Sequence, residues 1–435
     1  VIGWSAEQVG AAAGASLVAG AADAGPTRAV IDTRSIEPGD LFVGLRGERV
    51  DGGRFAADAL AAGAWGVLVA PEHAAGLSGV VLVAPDPLVA LQTLATAWRR
   101  ELDAAVIGVT GSVGKTSTKQ LIAALISPWR RVAANPANWN TEIGLPLAIL
   151  AAPPGTEVLV LEMGMRGFGQ IDELARIAEP DVGVITNIGP VHLELVGSLE
   201  GVARAKGELL AHVPVAVVPA EEPLLDPYLA SELDVVRFGS DVALEDFDPP
   251  RVTILARELR VELEVPFTSR HQLVNLTAAV AAAQAVGVEP SGRVDVSFGA
   301  MRGERIELPS GVVIINDCYN ANPLSMRAAL DDLATQAPDG GRRLAVLGDM
   351  LELGDGEVEE HRSLGVDASV ADVLVAVGPL SAHMLSTYEG ESHHVDDAAA
   401  AASLVSSLVR PGDVVLVKAS RGIGLETVAE ALARG

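Results

Sequence analysis

Short, almost unbroken runs of valine, isoleucine and leucine recur along the chain, each followed by a stretch with helical spacing. Near the N-terminus the runs are 41–44, 66–69 and 80–83, set among alanine-rich helical stretches. A second group comprises 104–107, 157–163 (EVLVLEM), 182–187 (VGVITN) and 213–218. Runs that are apolar throughout, rather than alternating, predict strands buried on both faces, and hence a parallel sheet. Residues 252–266 alternate polar and apolar instead, which predicts an antiparallel hairpin, and 275–286 (NLTAAVAAAQAV) reads as a helix. From about Ser310 the alternation resumes with 312–315, 344–347, 373–377 and 414–417, while 398–402 reads as plain helix. The pattern predicts an α/β protein in three units, 1–103, 104–309 and 310–435. The last unit is Rossmann-like but has no clean G-x-G-x-x-G, so its fold does not supply its ligand.

The junction between the first run of the middle unit and the next helix carries the sharpest chemistry. Residues 108–119 read GVTGSVGKTSTK, a glycine-rich loop between strand and helix. Gly111, Ser112 and Gly114 let backbone N–H groups close around an anion at a helix N-terminus. Lys115 adds a positive charge, and Thr116, followed by Ser117, offers a hydroxyl to magnesium. The strict phosphate-loop pattern has its first glycine where Val109 stands; here Gly108 sits one residue early and Gly111 lies inside the loop. ATP is the expected ligand.

Composition narrows the partners. The 435 residues are 49% hydrophobic but only 3% aromatic, so alanine and valine must do much of the packing. A net charge of −26 leaves no basic stripe for nucleic acid, and obliges any anionic substrate to rely on local cations, helix N-termini and metal. The single cysteine, Cys318, rules out an internal disulfide framework and reads as a small buried residue. No signal peptide is visible and no apolar run approaches the ~18 residues of a membrane span, so the cytoplasm is the expected compartment.

Ligands of parallel sheets bind beyond the carboxyl ends of the strands. Glu162 ends one such strand and Asn187 the next, with His192 five residues on. A carboxylate at 162 suits magnesium beside Thr116, although a solvated or capping acid would look the same. The loop NWNTEIGLP offers Asn138, Asn140 and Thr141 to a ligand, but asparagines in loops are also ordinary turn formers. Lys206, on a helical stretch, reads by itself as solvated surface.

The segments TGSVGKTSTK, NWNTEIGLP, LEMGM, TNIGPVHLE, ARAKGEL, SRHQLVN, NDCYNANPLSM, LGDMLELG and KASRG occur in this order. With them the chain resembles the Mur ligase family across all three regions. IDTRSIEPGDLFVGLRGER resembles that family's UDP-binding module, through which Thr33, Arg34, Arg46 and Gly47 would meet substrate. The resemblance implies a small α/β UDP-binding domain, a central phosphate-loop ATPase domain and a C-terminal Rossmann-like domain. It implies ATP-dependent joining of D-alanyl-D-alanine to UDP-N-acetylmuramoyl-tripeptide through an acyl phosphate, in cytoplasmic peptidoglycan synthesis, by a monomer. NDCYNANP favours the dipeptide over a single amino acid as acceptor. A phosphate-loop switch without ligase chemistry is the alternative of another class.

The resemblance also distributes roles. Thr116 and Glu162 would hold a first Mg2+, and His192 with Lys206, carbamylated by CO2, a second. His271 and Asn275 would contact adenine, Arg305 the phosphates and Asp317 the ribose, with ATP between two domains that close before chemistry. Asn138, Asn140, Thr141 and Asn187 would face substrate. Asn320, Asn322, Ser325, Ser420 and Arg421 would position the dipeptide. One departure stands out: relatives often carry D-G-H-D-F or D-A-H-D-F where this chain has Asp51, Gly52, Gly53, Arg54 and Phe55. The contacts of that loop are therefore open.

Overall fold

The computed structural model describes residue 1, residues 3–336 and residues 340–434. Three sheets succeed one another along the chain. In the first, strands Ala29–Val30, Leu41–Val43, Gly66–Val69 and Val80–Val83 run parallel, and Ser16–Ala19 closes the edge antiparallel to Val80–Val83. The helix Pro87–Leu102 begins with Pro87 behind an Asp86 cap and leads to the middle sheet.

The middle sheet has ten strands. Strand Ala105–Thr110 lies between Val158–Glu162 and Val182–Ile185, all parallel, so the ends of the three emerge side by side. The expected hairpin is present as Arg251–Ala256 against Leu259–Glu264, and Val242–Asp248 extends it to three antiparallel strands. The helix Arg270–Ala285 starts five residues before the expected Asn275. Its first turn (RHQ) carries no apolar signature: Arg270 is exposed, His271 lies under charges of the third unit, and Gln272 bonds Ser117. Beyond that turn, Ala278, Ala279, Ala281, Ala282 and Ala283 are buried, the small side chains admitting neighbours on every side.

The third sheet orders Glu304–Glu307, Val313–Asn316, Val414–Lys418, Arg343–Gly348, Val373–Val377 and Glu391–Val395. All neighbours are parallel except Glu304–Glu307, which pairs antiparallel with Val313–Asn316. That strand, which the sequence reading gave to 104–309, belongs to the third sheet; its charged ERIE pattern gave no strand signal. Cys318 is buried behind this sheet, its thiol bonded to Val417 O at 3.3 Å and pushed up to about 12 by desolvation.

Candidate active site at the facing sheet edges

The phosphate loop is held from beneath. Asn187 accepts from Val113 N through Oδ1 at 2.9 Å and donates to Val113 O through Nδ2 at 3.0 Å. Thr186 Oγ1 donates to the same carbonyl, and Ser112 Oγ bonds Gly189 through both its N–H (2.9 Å) and its carbonyl (3.0 Å). A Cβ on Gly111 would overlap Thr186 Oγ1, and Gly114, at φ +83, sits against Asn275 Oδ1. Asn187 was expected to face substrate; both its polar atoms are instead engaged in bracing the loop.

Lys115 Nζ folds onto the loop, donating to Gly111 O (2.8 Å) and Ser112 O (3.3 Å). Burial pushes its pKa down, with Glu162 opposing and the Arg302 charge assisting. Thr116 Oγ1 donates to Glu162 Oε2 at 2.7 Å, and Asn140 Nδ2 to Glu162 Oε1 at 2.7 Å. Two residues outside the sequence-based set complete this cluster. Asn135 clamps the Glu162 backbone, accepting from its N–H (2.8 Å) and donating to its carbonyl (3.0 Å). Lys119 Nζ lies 3.6 Å from Glu162 Oε2 and donates to Asn135 O at 2.6 Å. Lys119 ends the GKTSTK motif, and its spacing from Lys115 was the available signal. Asn138 is exposed, and Thr141 Oγ1 accepts from Gly144 N (3.3 Å), starting the helix Gly144–Ala151.

Lys206 is not the solvated lysine its helix suggested. It is 2% exposed and, among the described residues, has no ion-pair partner. Burial, then the Lys115 charge, drives its pKa well below the ordinary lysine value. His192, in left-handed backbone at φ +52, feels both lysines and pairs through Nδ1 with Glu352 Oε2 at 2.7 Å. That contact joins the middle unit to the third.

The N-terminal turn of helix Arg270–Ala285 faces the third sheet. His271 is desolvated, its Nδ1 buried without a partner, and the charges of Asp332, Asp317 and Lys418 bear on it. Asn275 Nδ2 donates to Gln272 Oε1 (3.1 Å), and Gln272 Nε2 to Ser117 Oγ (3.4 Å). Asp317 accepts from Lys418 Nζ at 2.6 Å. Arg302 stacks 3.6 Å over Tyr319, and its charge bears on both Lys115 and Lys119, pushing them down. Arg305, expected at the phosphates, lies within strand Glu304–Glu307 and donates to Gln336 Oε1 at 2.9 Å, whereas Arg302 stands in the turn before that strand.

Several expected acceptor contacts are occupied by structure. Asn322 and Ser325 form a reciprocal cap on the helix Pro323–Thr335, with Ser325 N donating to Asn322 Oδ1 at 2.9 Å. Ser420 Oγ accepts from Leu351 N (2.9 Å) and donates to Ala321 O (3.3 Å), tying neighbouring loops. Arg421 pairs with Glu426 at 3.1 Å. Asn320 remains exposed, its carbonyl accepting from Lys418 Nζ at 2.9 Å.

In the first unit, the Thr33–Ser35 turn and the Arg46–Gly47 loop follow the strands Ala29–Val30 and Leu41–Val43. Arg34 forks onto Asp32 at 2.7 and 3.0 Å, while Arg46 and Gly47 are exposed. A cavity of ≈ 1290 Å³, lined by the antiparallel hairpin and Trp129, carries none of this chemistry. A cavity of ≈ 640 Å³ is lined by Thr116, Lys119, Asn135, Arg302 and Tyr319. Among the described residues, no helix is long and apolar enough to cross a membrane.

The chain is similar to known proteins along most of its length. Family descriptions match as Mur ligase family, catalytic domain (28–94), Mur ligase middle domain (109–283) and Mur ligase, glutamate ligase domain (301–421). A UDP-N-acetylmuramoyl-tripeptide–D-alanyl-D-alanine ligase of Bacillus subtilis is 38% identical, covering 92% of each chain. One of Mycobacterium tuberculosis is 39% identical, covering 92% of this chain and 91% of the relative. Among solved structures, MurF from Acinetobacter baumannii superposes with TM-score 0.88 at 29% identity over 99% of both chains. MurF from Thermotoga maritima, in complex with ADP, gives 0.82 at 30% identity, covering 94% of this chain and 97% of that one.

Proposed function

The chain belongs to the Mur ligase family, and from that premise we propose the reaction its site performs. It ligates D-alanyl-D-alanine to UDP-N-acetylmuramoyl-tripeptide at the expense of ATP, giving the pentapeptide precursor of peptidoglycan. The observation that carries the reading is the His192–Glu352 contact. It ties the third unit, whose Asp317 and Lys418 bear on His271, to the middle unit that carries the phosphate loop, which supports ATP and an acceptor sharing one cleft.

The tripeptide's terminal carboxylate attacks the γ-phosphorus, the bond to the bridging oxygen breaks, and ADP leaves. The dipeptide amine then attacks the carbonyl carbon of the acyl phosphate, loses a proton, and phosphate departs from the tetrahedral intermediate. Activation is needed because a carboxylate is a poor electrophile, and the opposing anions must be screened. Lys115 and the loop N–H groups perform that screening at the phosphates. Their neighbours fit the nucleotide: the unpaired His271 Nδ1 is an orphan polar atom facing Asp317.

Thr116 Oγ1 and Glu162, already 2.7 Å apart, form a hard-oxygen donor set suited to Mg2+, which would supply further charge neutralisation. For Lys206 we favour carbamylation. Its buried amine lies near the Lys115 charge and is driven toward the neutral form that attacks CO2, forming an N–C bond and releasing a proton. The resulting anion would sit beside His192 and hold a second ion. Arg302, rather than Arg305, is the arginine we assign to the phosphates. We assign 1–103 to the UDP-substrate, the middle unit to ATP, and the third, from about Met301, to ATP and dipeptide. We keep the monomer as part of this reading, and its substrates are those of the cytoplasm.

The test is phosphate release with Mg-ATP and UDP-N-acetylmuramoyl-tripeptide, comparing D-alanyl-D-alanine, single amino acids and no acceptor. Release that needs the dipeptide, with the matching product mass, is expected. Release with a single amino acid would transfer the chain to another ligase of the family, and none at all would leave a nucleotide-binding switch.

A further inference from the structure

We propose that His73 is a substrate-binding residue of this chain, supplying from a neighbouring loop the group that position 53 lacks, and that it contacts the nucleoside diphosphate end of the UDP-substrate. The proposal rests on the ligase reading and deepens it.

The first observation is one of space. Gly53 is not among the residues in left-handed backbone, so its conformation would accept a side chain. A Cβ built on it would nevertheless fall 2.8 Å from Cγ and 2.9 Å from Nε2 of His73, and nearer still to Cδ2. The three nearest atoms all belong to this one imidazole. The ring therefore occupies the space into which a side chain at 53 would project, and glycine at 53 is what admits it.

The second observation is how the ring is held. Asp51 Oδ2 lies 2.9 Å from His73 Nε2, while its Oδ1 accepts from Gly53 N at 3.0 Å. One carboxylate thus ties the two loops together. The pairing with His73 holds the Asp51 carboxyl below its usual range, so it is ionised and accepts, and Nε2 carries the proton. Nδ1 is then the free nitrogen, without a hydrogen-bond partner among the described residues.

The third observation is place. The loops bearing Asp51 and His73 follow Leu41–Val43 and Gly66–Val69, adjacent parallel strands, and the Thr33–Ser35 turn follows the next strand over. This is the carboxyl edge of the first sheet, where ligands of such sheets bind. At that edge Arg34 is engaged by Asp32, while the half-buried His73, grouped with Asp51 and Glu72, keeps Nδ1 free to accept from a ribose hydroxyl or a base N–H.

The experiment uses the full-length enzyme and three variants: His73→Ala, Gly53→His, and both together. His73→Ala should raise KM for UDP-N-acetylmuramoyl-tripeptide, and the inhibition constant of UDP, about tenfold, the contribution of one good hydrogen bond. Its kcat and KM for ATP should be unchanged. Gly53→His alone should impair binding through the clash, and the double variant, with an imidazole restored from the other loop, should recover most of the lost affinity. An unchanged KM in His73→Ala, or a lowered melting temperature with no change in KM, would reduce the pair to a loop staple and overturn the proposal. An independent measurement needs no variant: UDP should protect His73 of the wild-type enzyme from diethylpyrocarbonate, read by peptide mass mapping, and full modification under saturating UDP overturns it. Dipeptide-dependent turnover of the wild type, measured alongside, separates this failure from failure of the ligase reading.

Discussion

His192 Nδ1 stands 2.7 Å from Glu352 Oε2, a bond between the middle unit and the third. The carboxylate comes from the LGDMLELG loop, where Glu352 itself holds left-handed backbone at φ +65. Both side chains keep some solvent exposure, so the pair is worth about 1 kcal/mol or less. Glu352→Gln should therefore lower kcat/KM by a few-fold, with the melting temperature nearly unchanged. A loss of several orders of magnitude would show that Glu352 takes part in the chemistry itself and does not merely help the units close.

Lys115 answers a different question. Its ammonium donates to the Gly111 and Ser112 carbonyls with no carboxylate bonded to it, so removing it strips charge from the loop and takes a donor from two carbonyls but leaves no charged group unpaired. Lys115→Ala should cut turnover by about 10³-fold or more while the circular dichroism melt is preserved. Near-normal turnover would sink the phosphate-loop assignment.

Asn187 separates bracing from substrate contact. Because both its amide atoms bond the Val113 peptide, Asn187→Ala should raise KM for ATP roughly tenfold, from loss of two loop bonds. KM for the UDP-substrate should stay put. The reverse pattern would return Asn187 to the substrate.

For Lys206, bicarbonate-free buffer should depress turnover and added bicarbonate should restore it. Lys206→Arg, always charged, should be inactive and beyond rescue. Indifference of the wild type to bicarbonate, together with activity in the variant, would exclude the carbamate.

A pH effect on stability is expected away from the cleft. His361 is fully buried and neutral, with Nδ1–H donating to Glu357 O (2.6 Å) and Nε2 accepting from Met350 N (2.9 Å). Burial lowers its folded pKa below the ordinary histidine value of 6.5. The unfolded chain then binds the proton more readily, so the stabilisation is complete above about pH 6.5 and is lost as pH falls through the folded pKa. Thermal melts from pH 8 to pH 5 should show a slope that flattens in His361→Gln. An equal slope in both proteins would assign the acid sensitivity to other groups.

The fold was legible wherever burial was uniform: continuous apolar runs marked the strands, and glycines marked the phosphate loop. Legibility failed at elements with no apolar signature, such as Glu304–Glu307 and the polar first turn before Asn275. Within the site, sequence motifs named residues without saying which were engaged internally. Asn322 and Ser325 look the same in the chain whether or not they cap a helix, and the cap appears only in the 2.9 Å bond between them. Arg302 and Arg305 are both basic residues on one approach to the third sheet, and their directions follow from pairing that the local pattern does not contain. His73 was invisible because its significance depends on a glycine twenty positions earlier.

Cys318, the chain's only cysteine, has its thiol sealed behind the third sheet and pushed up to about 12. Thiolate is the species that reacts with maleimides and alkylating inhibitors, so the native chain is chemically silent toward them. The same burial makes the protein a ready background for spectroscopy. Cysteines introduced on the exposed faces of the middle and third units would be the sole labelled positions, and the distance between two fluorophores there would report the approach of the units during turnover.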